Sequence, residues 1–263
     1  MAQWDANWAE RWMRSQAKRS DVYGAATERM LDLADLRTGN RVLDVAAGTG
    51  EQTLLAAQRV GPSGYVLATD ISTDMLNIAA DAVRRAGLTN VGTRVMDGEN
   101  LDLEADSFDA VICRLGLMLF SDPPKALRGM RRVVRPGGKI AALVFSAVEK
   151  NPYEGVPRQV AQRRGSGRMS PFVLGEHRLV EDTFRKGGFS TVSVHAVATH
   201  RRFSSSTEAV KNLQDDFHGR TIAELPSAER EQAWEEVQQQ LRRFEGPDGC
   251  ELPGELLIGV GPK

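Results

Sequence analysis

Short, β-branched apolar runs alternate along the chain with longer segments whose apolar residues recur at helical spacing. The runs are RVLDVA (41–46), YVLATD (65–70), GTRVMD (92–97), FDAVIC (108–113) and KIAALVF (139–145). Each is mostly apolar on both faces, the pattern of a strand covered by helices on two sides. Residues 51–59 read as a helix following the first strand. Residues 72–86 read as another, with Ser72 as N-cap, Met75, Leu76, Ala79 and Val83 on one stripe, and Gly87 as the stop. A third, over 123–134, opens at Pro123-Pro124 and ends at Pro136-Gly137-Gly138. Strands alternating with helices in this way imply βαβ units and a parallel sheet.

Beyond residue 146 the pattern loosens. Residues 147–175 are rich in Gly, Pro and Arg and read as an excursion of loop and short helix. Helix 178–187 and strand 189–197 resume the alternation; a polar helical stretch over about 206–245 follows, then GELLIGVG (254–261) as a last strand. The first 30 residues look helical and amphipathic, with Trp4, Trp8 and Trp12 on one stripe that suits core packing better than ligand contact. The expected organisation is one domain over 1–263. Within it, 1–35 would be a helical cap, 36–146 a cofactor-binding core, and 147–263 a substrate-side elaboration carrying the last strands.

Composition narrows the function classes. Lys and Arg number 34 against 35 Asp and Glu, so no global field draws the chain to nucleic acid or an anionic membrane. The clustered Arg128, Arg131, Arg132 and Arg135 read as a solvated helix face. No apolar run approaches the length of a membrane span, and the N-terminus lacks a signal-peptide apolar stretch, which makes the cytoplasm the expected location. Of the two cysteines, Cys113 sits in an apolar run and reads as a small buried hydrophobe. No Cys/His spacing suggests a metal site, and none is expected.

The chemistry gathers at the strand ends. Open α/β sheets bind ligands beyond the carboxyl ends of their strands, where strand order reverses. The first strand ends in Asp44-Val45-Ala46-Ala47-Gly48-Thr49-Gly50, whose glycines allow a sharp turn close to a ligand. About twenty residues on, Asp70 ends the second strand, where a carboxylate can take both hydroxyls of a ribose. Either a nicotinamide dinucleotide or S-adenosylmethionine fits these two features. Three details favour the latter. Thr53 replaces the third glycine of the dinucleotide fingerprint. Asp44 would repel a pyrophosphate yet help orient a cationic methionine end. Asp97-Gly98-Glu99, at the end of the third strand, places an acceptor for an adenine amino group.

The runs VLDVAAGTGEQT, ATDIS–DML, MDGENL and DSFDAVICRLGLMLFSDPPKALRGMRRVVRPGGKIAALVFS together resemble a class I S-adenosylmethionine-dependent methyltransferase. The resemblance is closest to the branch containing the ubiquinone/menaquinone C-methyltransferases (type 11) and their small-molecule relatives. It is strong over 40–146 and looser over 170–197. It implies a Rossmann-like, doubly wound α/β fold: a seven-stranded, mostly parallel sheet with the last strand antiparallel, plus helical cap segments. It implies that Gly48, Gly50 and the backbone of Ala46 line the methionine moiety. Asp70 would hold the ribose, Ile71 and Met75 would cover the adenine, and Asp97 and the Gly98 amide would bind its edge. Arg114 and Leu115 would border the methyl group by their backbone, with Tyr23 of the N-terminal helix a further contact.

The function expected is methyl transfer to an O, N or C nucleophile of a small-molecule metabolite, by in-line displacement. No nucleic acid or membrane partner is expected. The long segment 203–250 departs from a minimal core and weighs against quinone acceptors. No general base stands out; Arg114, His177 and His218 are the candidates, whereas His195 alternates within a strand and suits a structural role. Two other readings survive: an NAD(P)-dependent oxidoreductase, opposed by Thr53 and Asp97-Gly98, and an S-adenosylmethionine-binding module without turnover.

Overall fold

A computed structural model describes residues 16–166 and 170–263. The tryptophan stripe at positions 4, 8 and 12 lies outside the described residues, as does Arg168. Helix α1 (Gln16–Leu33) precedes β1 (Arg41–Val45), α2 (Glu51–Val60), β2 (Tyr65–Asp70), α3 (Thr73–Arg85) and β3 (Val91–Val95). Then come β4 (Phe108–Arg114), α4 (Pro123–Val133) and β5 (Val134–Phe145), followed by α5 (Pro152–Arg163), α6 (His177–Lys186) and β6 (Ser193–Phe203). Helices α7 (Ser206–Asp215), α8 (Arg220–Ala223) and α9 (Ser227–Leu241), the two-residue β7 (Glu245–Gly246) and β8 (Gly249–Pro262) complete the order.

The main sheet runs β3-β2-β1-β4-β5-β8-β6, and β7 forms a small hairpin with β8. Strands β1 to β5 pair in parallel, while β8 pairs antiparallel with both β5 and β6. This is the seven-stranded sheet with an antiparallel last strand, extended by β7. The chain winds outward from β1 to β3, then returns to β4 on the other side of β1. Strand order therefore reverses between β1 and β4, and the carboxyl ends of those strands flank the crevice.

Local signals account for most boundaries. The Ser72 hydroxyl accepts the amide of Met75 at 3.3 Å and caps α3, whose Met75, Leu76, Ala79 and Val83 are buried. Asp122 caps α4 by accepting the Lys125 amide at 2.9 Å, just ahead of Pro123. Cys113 is buried, in the core formed by Val42, Leu43, Val111, Ile112, Ile140 and Leu143. Of the arginine cluster, Arg128, Arg132 and Arg135 are exposed, whereas Arg131 is half-buried over the ring of Phe189.

Four expectations are corrected. Strand β3 is not covered on both faces: it is a sheet edge, with Thr93, Arg94 and Val95 exposed. Strand β6 begins at Ser193 and runs on to Phe203, because β8 pairs with it over its whole length. The excursion after residue 146 contains a full helix, α5, although Gly155 and Pro157 lie inside it. Residues 206–245 break into three helices rather than one. Helices α5, α7 and α9 share a second core of Tyr153, Val156, Val160, Leu213, Val237 and Leu241. Among the described residues, no helix is long and apolar enough to cross a membrane.

Candidate functional site

A cleft of about 250 Å³ opens at the carboxyl ends of β1, β2, β3 and β4. Nine of the residues singled out from the sequence meet there: Ala46, Gly48, Asp70, Ile71, Met75, Asp97, Gly98, Arg114 and Leu115. Met96, Leu119 and Phe120 add apolar wall. Ile71 stands 47% exposed at the cleft, unusual for a large aliphatic side chain and suited to covering a flat ring. Ala46 and Leu115, the residues just past β1 and β4, both hold left-handed backbone, with φ of 56° and 58°. Such strain in non-glycine residues tends to mark functional sites.

The glycine turn is held from beneath and from the side. Asp44, fully buried, accepts the Thr53 hydroxyl at 2.6 Å and the Gln52 amide at 3.1 Å. Burial pushes its carboxyl up to about 7, although both hydrogen bonds and the nearby Arg114 favour ionisation. Asp70 accepts the Gly48 amide at 2.9 Å on one oxygen and the Ser72 amide at 2.9 Å on the other. Burial raises its pKa against those amides. A Cβ on Gly50 would come within 2.9 Å of the Ala79 Cβ, so this position needs glycine for α2 to approach α3. The Thr49 hydroxyl, within the turn, is buried and has no hydrogen-bond partner among the described residues.

Across the cleft, Asp97 accepts the Glu99 amide at 2.9 Å and the side-chain amide of Asn100, which fixes the turn after β3. A Cβ on Gly98 would lie 2.6 Å from the Phe120 ring, so the backbone here passes directly under an aromatic wall. The residues fit an adenosyl ligand: two strand-end carboxylates, a flexible-backbone turn with an unmatched hydroxyl, and apolar faces between them.

Several candidates lie elsewhere. Gly50, Thr53 and Asp44 form the turn's support and do not line the cleft. Tyr23 is also outside the lining, because its hydroxyl donates to Glu154 at 2.7 Å within a buried group that includes Arg201. His177 is exposed at the first turn of α6. His218 is buried, edge-on to Phe145 and Tyr153, and burial lowers its pKa despite the nearby carboxylates of Asp216 and Glu154. His195 is half-buried in β6, where its Nε2 meets the Ser193 hydroxyl at 3.0 Å.

Sequence reasoning missed the charged network behind the cleft. Glu51, at the start of α2, accepts Arg114 Nη2 at 2.6 Å and also pairs with Arg19 of α1. Arg114 Nη1 reaches the Thr27 hydroxyl at 3.3 Å. All four residues are buried. Farther into the cap, Arg201 binds Glu154 at 2.8 Å and lies 4.2 Å from the Tyr153 ring centroid. Burial pushes the Glu154 carboxyl up, but Arg201, His218 and the Tyr23 hydroxyl outweigh it and hold the pKa low. The only sequence signal was negative: charged residues interrupting otherwise apolar helices.

Comparison with known proteins bears on the same stretch. The model of the ubiE/COQ5 methyltransferase family matches residues 24–161. The ubiquinone/menaquinone biosynthesis C-methyltransferase UbiE of Methylococcus capsulatus is 40% identical over 119 residues, which is 45% of this chain and 48% of that protein. UbiE of Bordetella parapertussis is 43% identical over 117 residues, 44% of this chain and 45% of that one. The matched stretch thus spans about half the length of these curated relatives. Among solved structures, Bacillus subtilis YcgJ superposes with a TM-score of 0.66 at 18% identity, covering 91% of this chain and 98% of that one. A putative methyltransferase of Bacillus halodurans, BH2331, gives 0.66 at 20% identity, covering 91% and 99%. The [4+2]-cyclase SpnF shares the fold at a TM-score of 0.58 and 19% identity, covering 90% of this chain and 80% of that one. The fold alone therefore does not specify the reaction.

Proposed function

The chain belongs to the ubiE/COQ5 methyltransferase family, and from that premise we propose that it transfers the methyl group of S-adenosylmethionine to an O, N or C nucleophile of a small-molecule metabolite. One observation carries this reading: Gly48, Asp70, Asp97 and Gly98 converge on a single cleft at the sheet's reversal point. In the proposed complex Asp70 takes the ribose hydroxyls, and Asp97 with the Gly98 amide takes the adenine edge. Ile71 and Met75 cover the ring faces. The strained Ala46 and Leu115 backbones border the methyl-bearing end. Bound there, the cofactor supplies a methyl carbon whose bond to sulfur breaks as the bond to the acceptor forms, the electron pair staying on sulfur.

The protein's own work is then positioning and exclusion of water. Residues 36–146 form the cofactor-binding part of one domain, flanked by α1 and by the elaboration after 147. That elaboration, with its own core, sets the acceptor pocket. The relatives' names make a quinol ring carbon the first acceptor to try, within a cytoplasmic setting. Calorimetry with S-adenosylhomocysteine, alongside NADH, tests the cofactor. Binding of S-adenosylhomocysteine and not NADH is expected; the reverse would replace methyl transfer by hydride transfer. A radiolabelled-methyl assay over quinol, phenol and amine acceptors then tests turnover.

A further inference from the structure

The guanidinium of Arg114 is unusual among the cleft's charges. It is the cation among the lining residues, it is 8% exposed, and it is held from behind by two fixed acceptors on different elements. Glu51 of α2 takes Nη2 at 2.6 Å and Thr27 of α1 takes Nη1 at 3.3 Å. A guanidinium has five N–H donors in one plane, so these two contacts set the plane and leave donors for a further acceptor. Glu51 in turn is gripped on its other oxygen by Arg19. The carboxylate is therefore shared between two cations, and Arg114 keeps more positive character than a private ion pair would leave it. The other carboxylates near the cleft are committed: Asp44 to Thr53 and Gln52, Asp70 to the Gly48 and Ser72 amides, Asp97 to its own turn.

We propose that the Arg114 side chain is the receptor for the α-carboxylate of the cofactor's amino-acid arm, and that Glu51 is its positioning residue. This rests on the S-adenosylmethionine reading and deepens it, since the family resemblance gave Arg114 only a backbone role. The placement suits the ligand's charge pattern. The adenosine end meets Asp70 and Asp97, and the zwitterionic end lies where Arg114 presents a planar fork with Asp44 beneath the turn. A planar fork matches a carboxylate bidentately, which an ammonium cannot do. Because Glu51 opens the helix that follows the glycine turn, and Thr27 and Arg19 belong to α1, binding at Arg114 also ties α1 to the cofactor turn.

The test compares S-adenosylmethionine with decarboxylated S-adenosylmethionine, which keeps the sulfonium and the amine and lacks only the carboxylate. Calorimetric titration of the full chain should show the wild type preferring the intact cofactor by at least about tenfold, as a charge-assisted, partly buried hydrogen-bond pair requires. Arg114→Gln should lose that preference while binding the decarboxylated analogue as the wild type does. Arg114→Lys should retain only part of it, and Glu51→Gln should reduce it without abolishing it. Unaltered affinity for the decarboxylated analogue reports an intact site in each variant. An Arg114→Gln protein that still prefers the carboxylate as strongly as the wild type overturns the assignment. A wild type that binds neither ligand overturns the cofactor reading itself.

Discussion

Replacement of Asp44 by asparagine should change stability in a strongly pH-dependent way. Asp44 is completely buried beneath the glycine turn, and its carboxyl titrates near 7. Relative to an ordinary carboxyl near 4, the ionised form in the folded protein is penalised by about 4 kcal/mol, at about 1.4 kcal/mol per pH unit. The sign follows from proton binding. Between about pH 4 and 7 the unfolded chain has released this proton and the folded one has kept it, so stability falls as pH rises through that window. Below it both states are protonated; above it the full penalty is expressed. The asparagine carries no charge in either state and abolishes this slope. Its carbonyl can still accept from Thr53, but its amide faces the Gln52 amide, a mismatch costing about 1 kcal/mol. The variant should thus be roughly 3 kcal/mol more stable than the wild type near pH 8 and slightly less stable near pH 4. Urea unfolding at several pH values, without ligand, measures the difference directly. A difference that stays constant with pH, or a variant less stable near pH 8, would refute the reasoning. The same variant should bind S-adenosylmethionine more weakly, because a cationic ligand favours the ionised carboxylate.

Three further outcomes are expected. Asp70→Ala should weaken S-adenosylhomocysteine binding by roughly 1–3 kcal/mol, read by calorimetry, since it removes a buried acceptor and unties the Gly48 amide at once. Gly98→Ala forces the Phe120 ring to move and should cost about 1–3 kcal/mol of stability in a melting series; cofactor affinity should fall with it, and Phe120→Leu in the same chain should recover most of the affinity. Arg201→Met leaves Glu154 buried without its cation and should destabilise by about 3–5 kcal/mol in urea, with Glu154→Gln in the same chain restoring part of the loss.

The sheet was legible because its centre is made of segments whose burial shows in their composition. Strands β1, β4 and β5 are flanked on both sides, and RVLDV, FDAVICR and IAALVF carry scarcely a polar interruption. The edges were harder for the same reason reversed. His195, Thr199, His200 and Arg202 alternate with smaller residues along β6, where one neighbour suffices for pairing and side chains face water. A pattern search for apolar runs stops at Val197; the backbone continues to Phe203 because β8 supplies partners. Helix α5 hid behind Gly155 and Pro157. Gly155 packs against Val148, where a Cβ would fall within 2.6 Å of its side chain, and Pro157 lies in the first turns, where few backbone bonds are forfeited.

The cleft divides along a similar line. Residues that touch the ligand through backbone or strand-end position, such as Gly48, Asp70 and Gly98, are announced by local spacing, since a turn is a local object. Residues that act by partnering are not. Glu51 reads as an ordinary acidic first-turn residue of α2, and only the fold brings Arg19 and Arg114 to it across 32 and 63 positions. Arg201 looks like one of several basic residues near the cap until Glu154, 47 positions away, and Tyr23, 178 away, close around it. These ion pairs join α1 both to the cofactor turn and to the elaboration after residue 147. Isolated burial of any one of those charges would be prohibitive, so each depends on the others being in place. The N-terminal helix, the turn and the cap are therefore coupled through charge, and a substitution at Glu51 or Glu154 should be felt at both ends of α1.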